Sequence, residues 1–357
     1  MRRLVATTTL ALVLTGCSGT TDPGAGEAPT GDGDGAATSV TPSATGDAGP
    51  EPTPAPSTPD EPPHPVSLPA LREKEYDGGD LRLGREVLRT GSHVQREVTW
   101  RGGGLTLSGV IAIPHGKGPF PAIVLGHGYI DPAIYTTGRG MTRERAWFGD
   151  HGFVALHVDY RNHASSDDDP RADVRLRLGY TEDVVNAVHA LRAWRRGPVD
   201  DERIAVGGRS MGGGVVYNVL AAQPGLVDAG VVWAPVSSLA AQNFERWIRP
   251  DSGRDELARR IIRRYGDPRS DDPEVRRFWR EASPRPFFDE ITEPVMMHHG
   301  TLDDTCPIRW SNATVRAMRR AGVDVSYEVY PGEGHAFGPQ FFESMERTTR
   351  FLRRELR

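Results

Sequence analysis

Gly208-Arg209-Ser210-Met211-Gly212 places a serine between two glycines, directly after the apolar run Arg203 to Gly207 and before a helix-forming stretch, Gly212 to Gln223. On a tight strand-to-helix turn the hydroxyl projects out of the sheet, and the flanking glycines remove side chains that would collide with neighbouring backbone. A serine hydroxyl is a weak nucleophile at neutral pH, so it needs a base within hydrogen-bond reach and a third group to orient that base. Both occur downstream, in the order acid then histidine. After the run Pro294 to His298 the chain reads His299-Gly300-Thr301-Leu302-Asp303-Asp304-Thr305-Cys306-Pro307, with two carboxylates at the end of a strand. After Val325 to Tyr330 comes Pro331-Gly332-Glu333-Gly334-His335-Ala336-Phe337, a glycine-rich loop that presents one histidine. The expected roles are Ser210 as nucleophile, His335 as general base and Asp303 as its orienting acid. Asp304 is the rival acid, with capping of the turn as its expected task.

Attack on a carbonyl builds negative charge on oxygen, which two fixed N–H donors near Ser210 would stabilise. The backbone amide of Met211, at the start of the helix, is one candidate. The other is the amide of Tyr129, in Gly126-His127-Gly128-Tyr129 after the run Pro121 to Leu125. His127 is expected to hold that loop by hydrogen bonds. The chemistry needs no metal or organic cofactor. His298-His299 alternates faces on a strand and cannot offer two ligands to one metal, and no H-E-x-x-H, C-x-x-C or phosphate-binding G-x-x-x-x-G-K-[ST] spacing occurs. Asp167-Asp168-Asp169 reads as a solvated loop, and Arg259, Arg260, Arg263 and Arg264 as a solvated helix face.

Short apolar runs bounded by Gly, Pro or Asp must position these residues. Several lack the alternation of a half-wet strand and suit central parallel strands covered on both sides. His93 to Trp100 and Leu105 to Ile113, joined by Arg101-Gly102-Gly103-Gly104, read as a hairpin. Gly179 to Arg196 gives an amphipathic helix with Thr181 as N-cap, and Arg309 to Ala321 and Pro339 to Arg354 are similar. Strand alternating with helix predicts an α/β doubly wound, mostly parallel sheet with an antiparallel N-terminal edge. Residues 237–292 carry helical segments, Asp255 to Tyr265 and Pro273 to Glu281 among them, and read as a helical lid inserted between core strands.

Three domains are expected: 1–17, 18–80 and 81–357. Met1-Arg2-Arg3, the apolar stretch Leu4 to Leu14, and Leu14-Thr15-Gly16-Cys17 form an export signal whose apolar part is too short to span a bilayer. It resembles a bacterial lipoprotein signal, which implies acylation of Cys17, an extracytoplasmic membrane-anchored protein, or a secreted one if the box is unused. Residues 18–80 are rich in Gly, Pro, Ser and Thr and read as a disordered tether. With lipid on Cys17, Cys306 could form no intramolecular disulfide; it reads as a small buried hydrophobe. The net charge of −5 over 357 residues is mixed in sign along the chain and offers no clustered basic face for nucleic acid.

From about Leu105 onward the sequence resembles the α/β-hydrolase superfamily, most of all the catalytic domain of the prolyl oligopeptidase family and its neighbouring esterases. The likeness rests on Gly126-His127-Gly128, Asp159-Tyr160-Arg161, Asp200 through Gly213, His299 through Asp304, and Gly334-His335. It implies a serine hydrolase acting through an acyl-enzyme on a small ester or short peptide substrate, with the first aspartate after the His-Gly turn, Asp303, as triad acid. Peptidases of that family usually carry an N-terminal β-propeller, for which the segment before Leu105 is too short, which counts against oligopeptidase specificity. Single-domain relatives include carboxylesterases, acyl esterases and dienelactone-hydrolase-like enzymes, and a lid suits an acyl substrate at least as well as a peptide. Cys306 stands where the family often has Val. The rival reading is a non-catalytic lipid-anchored binding protein on the same fold.

Overall fold

The computed structural model describes residues 62–357. The export signal, Cys17 and the tether as far as residue 61 lie outside the described residues. The strands are β1 (Gly79–Arg89), β2 (His93–Gly102), β3 (Leu105–Pro114), β4 (Phe120–Gly126), β5 (Val154–Val158), β6 (Val199–Arg209), β7 (Ala229–Trp233), β8 (Val295–Gly300) and β9 (Val325–Tyr330). They form one sheet in the order β1-β2-β3-β5-β4-β6-β7-β8-β9. Pairing is antiparallel from β1 through β3 to β5 and parallel across the rest. This is the α/β arrangement expected from the runs of apolar residues.

The helices are α1 (Leu68–Glu73), α2 (Thr142–Asp150), α3 (Gly179–Arg192), α4 (Met211–Ala222), α5 (Ala240–Trp247), α6 (Asp255–Tyr265), α7 (Pro273–Glu281), α8 (Ile308–Arg320) and α9 (Phe341–Glu355). Successive residues of a strand point to opposite faces, and both faces are covered. Ala122 and Val124 join a core with Val184, Val188, Val215, Val219 and Val315, from α3, α4 and α8. Ile123 and Leu125 join a second core with Phe148, Met345 and Leu352, from α2 and α9. Strands β5 and β7 are buried along their whole length, which is why they carry no polar alternation. The β2–β3 hairpin turns on Gly103 and Gly104 at φ 61° and 79°, a region open to glycine.

Three local expectations are corrected. The fold does not start at residue 81: Val66, Leu68 and Leu71 are buried in the larger core, and α1 is capped by Ser67, whose Oγ accepts the Ala70 N–H at 3.1 Å. A six-residue helix beside a Pro-rich stretch has too few turns to show a period. An additional strand, β1, forms the antiparallel edge; it is largely exposed and its pairing is broken by three register shifts, so no alternation marks it in sequence. Thr181 does not cap α3. It lies inside the helix, buried, and its Oγ1 accepts the Asn218 amide at 3.2 Å.

Residues 237–292 form a helical cap of α5, α6 and α7 with two 3-10 turns, Ser252–Arg254 and Arg285–Glu290. Its apolar side continues the larger core, with the rings of Tyr265 and Phe278 stacked 4.2 Å apart and Trp279 packed against Phe244. Among the described residues no helix is long and apolar enough to cross a membrane.

Candidate active site

Ser210 sits at φ 58° and ψ −120°, between the end of β6 and the first residue of α4. A non-glycine residue in that region is strained, and neighbouring hydrogen bonds fix it: its N–H donates to Trp233 O at 3.0 Å, and its carbonyl accepts from Gly213 and Val236. The elbow needs its glycines. A Cβ on Gly208 would lie 2.3 Å from the carbonyl oxygen of Gly212, and one on Gly212 would lie 2.1 Å from that of Gly126.

His335 lies on the loop between β9 and α9. Its Nδ1–H donates to Asp303 Oδ2 at 2.8 Å, and its side chain is 23% exposed where that of Asp303 is fully buried. Ser210 and His335 line one cavity of about 530 Å³. No direct hydrogen bond joins them among the described residues; Ser210 Oγ has Cys306 Sγ 3.8 Å away. Thus the site brings together all three residues that the sequence singled out, with His335 poised between the buried acid and the cavity that holds the hydroxyl.

Asp303 is more heavily engaged than sequence reasoning foresaw. Oδ1 accepts the amides of Thr305 at 2.9 Å and Cys306 at 2.8 Å, so the turn is capped by Asp303, and the exposed Asp304 carboxylate accepts the Thr305 hydroxyl. On Oδ2 a second imidazole appears: His299 Nε2 is 3.2 Å away while donating to Cys306 O at 2.8 Å, and its Nδ1 lies 2.7 Å from Ser311 Oγ. Burial alone would raise the carboxyl pKa, but the hydrogen bonds from His299 and His335 outweigh it and hold Asp303 well below the ordinary carboxylate range. The spacing of four between His299 and Asp303 is the signal the sequence carries for this contact. His298 faces the other side, toward Tyr330 and Thr348.

The His335 loop is pinned from two sides. Buried Glu333 accepts the amides of Gly338 and Gln340, and Arg143 donates to the carbonyls of Ala336 and Phe337 while lying 4.1 Å from the Phe341 ring. Neither residue had a sequence signal, since each acts on backbone. Beside the elbow, Arg209 pairs with buried Glu144.

On the other side of Ser210, the loop after β4 approaches so closely that a Cβ on Gly128 would lie 3.1 Å from Ser210 Cβ and 3.6 Å from Oγ. The Tyr129 N–H has no acceptor among the described residues, and Met211, first in α4, has no intrahelical acceptor. Behind the loop, buried His127 donates from Nδ1 to Gly128 O at 2.6 Å; burial pushes its ring pKa down to about 3. Asp159 accepts from Ser108, Tyr135 and Gly138 and ties the following loop to the sheet. Arg161 binds Asp183 and Glu182 on α3 and also Asp169, so one member of the acidic triplet is part of a partly buried ion network, unlike the solvated loop expected. Cys306 is a buried free thiol, pushed up to about 12 by burial and then by Asp303.

The cap lines the cavity with Phe244, Trp247 and Ile261, and Val236 lines it from just before the cap. Arg246 in α5 donates to the carbonyl of Asp304, which ties the cap to the acid loop. Among the described residues no group of three or more His, Cys, Asp or Glu could hold a metal ion.

A sequence model of the prolyl oligopeptidase family matches residues 140–357, which hold the elbow, the acid loop and the His335 loop. The chain belongs to the prolyl oligopeptidase family. The matched region is therefore a serine hydrolase domain. Dipeptidyl aminopeptidase BIII of Pseudoxanthomonas mexicana is 27% identical over 225 residues, covering 61% of this chain and 30% of that protein. Dipeptidyl peptidase 4 of Felis catus is 34% identical over 170 residues, 46% of this chain and 20% of that protein. The chain thus spans less than a third of the length of these curated relatives. In fold it is similar to acetyl xylan esterase from Paenibacillus sp. R4, with a TM-score of 0.60 at 21% identity over 81% of this chain and 92% of that one. The acylaminoacyl peptidase of Pyrococcus horikoshii gives 0.56 at 20% identity, over 74% and 42%.

Proposed function

We propose that this prolyl oligopeptidase-family chain cleaves carboxylic esters, and amides of short peptides, through an acyl-enzyme on Ser210. The observation that carries the reading is the buried Asp303 held to His335, with His335 and Ser210 opening on one cavity. Ser210 Oγ attacks the substrate carbonyl while His335 Nε2 takes its proton. Asp303 keeps the Nδ1–H tautomer and balances the imidazolium charge. The amides of Tyr129 and Met211 receive the developing oxyanion. Collapse expels the alcohol or amine, which takes the proton from His335. Water, deprotonated by His335, then releases the acid and frees Ser210.

The mostly apolar cavity beneath the cap suits an acyl chain, and the names of the longer relatives keep short peptides open as substrates. Labelling by a fluorophosphonate tests the reading: the chain should be labelled and Ser210→Ala should not. Equal labelling of both removes Ser210 from the mechanism. Parallel turnover of nitrophenyl acyl esters and aminoacyl anilides separates the two bond types. From the sequence of residues 1–17 we also infer export and acylation at Cys17; incorporation of an alkynyl fatty acid should be lost in Cys17→Ser.

A further inference from the structure

Two guanidinium groups stand in the substrate cavity with no task in the chemistry above. Arg177, from the coil before α3, and Arg254, from the cap, both lie over the ring of Tyr129, with Cζ 4.5 and 4.6 Å from its centroid. Both line the cavity that contains Ser210 and His335. Each is held by a single carboxylate through Nε: Arg177 by Asp173 at 2.6 Å, Arg254 by Asp251 at 3.2 Å. Arg177 Nη1 lies 3.7 Å from Met211 Sδ, and Arg254 Nη1 donates to Trp247 O at 3.3 Å. The Nη2 group of each has no partner among the described residues.

Asp173 and Asp251 line the same cavity as the arginines but are the more exposed member of each pair. The side chains of Asp173 and Asp251 are 52% and 46% exposed, those of Arg177 and Arg254 only 17% and 21%. The guanidinium groups are thus the more buried charges of the cavity, where reduced water screening strengthens their field. A guanidinium with a free edge offers the planar pair of donors that fits a carboxylate. A ligand ammonium would instead meet carboxylates already engaged with the arginines. The backbone adds a second observation. Leu176 and Arg177, both non-glycine, have φ of 53° and 58° in succession, where the chain delivers Arg177 to the cavity. Strained conformations of this kind persist only where surrounding structure enforces them, and they cluster at ligand sites.

Resting on the hydrolase reading, we infer that the cavity selects substrates carrying a free carboxylate near the bond to be cut. In the proposed mechanism the Tyr129 amide faces the reacting carbonyl, and the ring of the same residue carries the guanidinium groups at 4.5 and 4.6 Å, so the carboxylate lies a few bonds from the bond to be cut. The half-ester of a short dicarboxylic acid has that form.

The test compares kcat/KM of the full chain on methyl pentanoate and monomethyl glutarate, esters matched in length and differing in the terminal carboxylate, with released acid followed by titration. A preference of about tenfold or more for the glutarate is expected, weakening with added salt. In the Arg177→Gln/Arg254→Gln double variant the ratio should fall to near parity, and Arg177→Lys with Arg254 intact should keep part of it. Because each value is a ratio on one preparation, a partly misfolded fraction cancels. Parity in the unaltered chain, or a preference that survives the double variant, overturns the inference. Fluorophosphonate labelling is run alongside: labelling and neutral-ester turnover without carboxylate preference sink this inference alone, and absent labelling sinks the hydrolase reading with it.

Discussion

The His127 imidazole donates its Nδ1 hydrogen to the carbonyl oxygen of Gly128, the very next residue, across 2.6 Å. A peptide group is planar with its C=O and N–H on opposite sides, so fixing the Gly128 oxygen also aims the Tyr129 N–H. Tyr160 closes the loop from behind, its hydroxyl 3.4 Å from the His127 carbonyl oxygen.

Replacing His127 by Ala should therefore lower kcat by roughly 10–100-fold with little change in KM, since the donor it aims acts on charge that develops in the transition state. His127→Asn, which keeps a donor near Nδ1, should recover part of the loss. Equal changes in KM and kcat across both variants would mean that His127 only supports the fold.

Asp303 and Asp304 differ in burial and partners, and their variants should differ accordingly. Asp303→Asn should reduce kcat on the order of 10⁴-fold, because the amide cannot hold the required imidazole tautomer. Asp304→Asn should stay within about twofold of the unaltered chain, as surface substitutions do. Steady-state ester hydrolysis by the purified variants decides this.

Acid should unfold the protein earlier than its carboxylates require. Burial pushes the rings of His127 and His298 down to about 3, with Arg347 adding to the effect at His298, and drives His157 lower too. The unfolded chain binds protons on these rings below about 6.5 and the folded one does not, so their contribution is complete above that pH and drains as pH falls toward 3. Each of His127 and His298 should remove roughly 2 kcal/mol between pH 6.5 and 5. The depressed carboxyl of Asp303 adds a loss of its own only below its unfolded value of about 3.9. Melting temperatures from pH 8 to 5 should decline, and more gently in His298→Gln, whose amide can still meet Tyr330 and Thr348. A flat curve contradicts the burial argument.

Gly212→Ala should cost about 3 kcal/mol of stability from overpacking, because its Cβ would meet the backbone of Gly126, which cannot swing aside as a side chain could. Gly334→Ala, with open space around its Cβ, should leave the melting temperature nearly unchanged.

The central strands were legible because burial on both faces writes itself as unbroken apolar runs. The site was legible wherever the chemistry demands a particular side chain, as at Ser210, Asp303 and His335. What escaped were residues that act on backbone or on one another: Glu333 and Arg143 serve main-chain groups, and His299 reaches Asp303 through a turn whose closure no pattern announces. The sequence suggests Asp303 for the histidine and Asp304 for the turn, yet one carboxylate has two oxygens and Asp303 does both. Helix α1 and strand β1 were missed because one is too short to repeat and the other too exposed to alternate.

Helix α1 lies against α4, the helix that directly follows Ser210: Arg72 donates to Ala221 O, and Gln223 donates to Leu71 O. An expression boundary set at residue 81 would amputate this brace and lay bare the greasy flank of α4 that Leu68 and Leu71 cover. A boundary before Val66 would keep it. Tension applied to the chain ahead of α1 would be met by shear along the nucleophile helix, and the exposed outer strand would not be unzipped first.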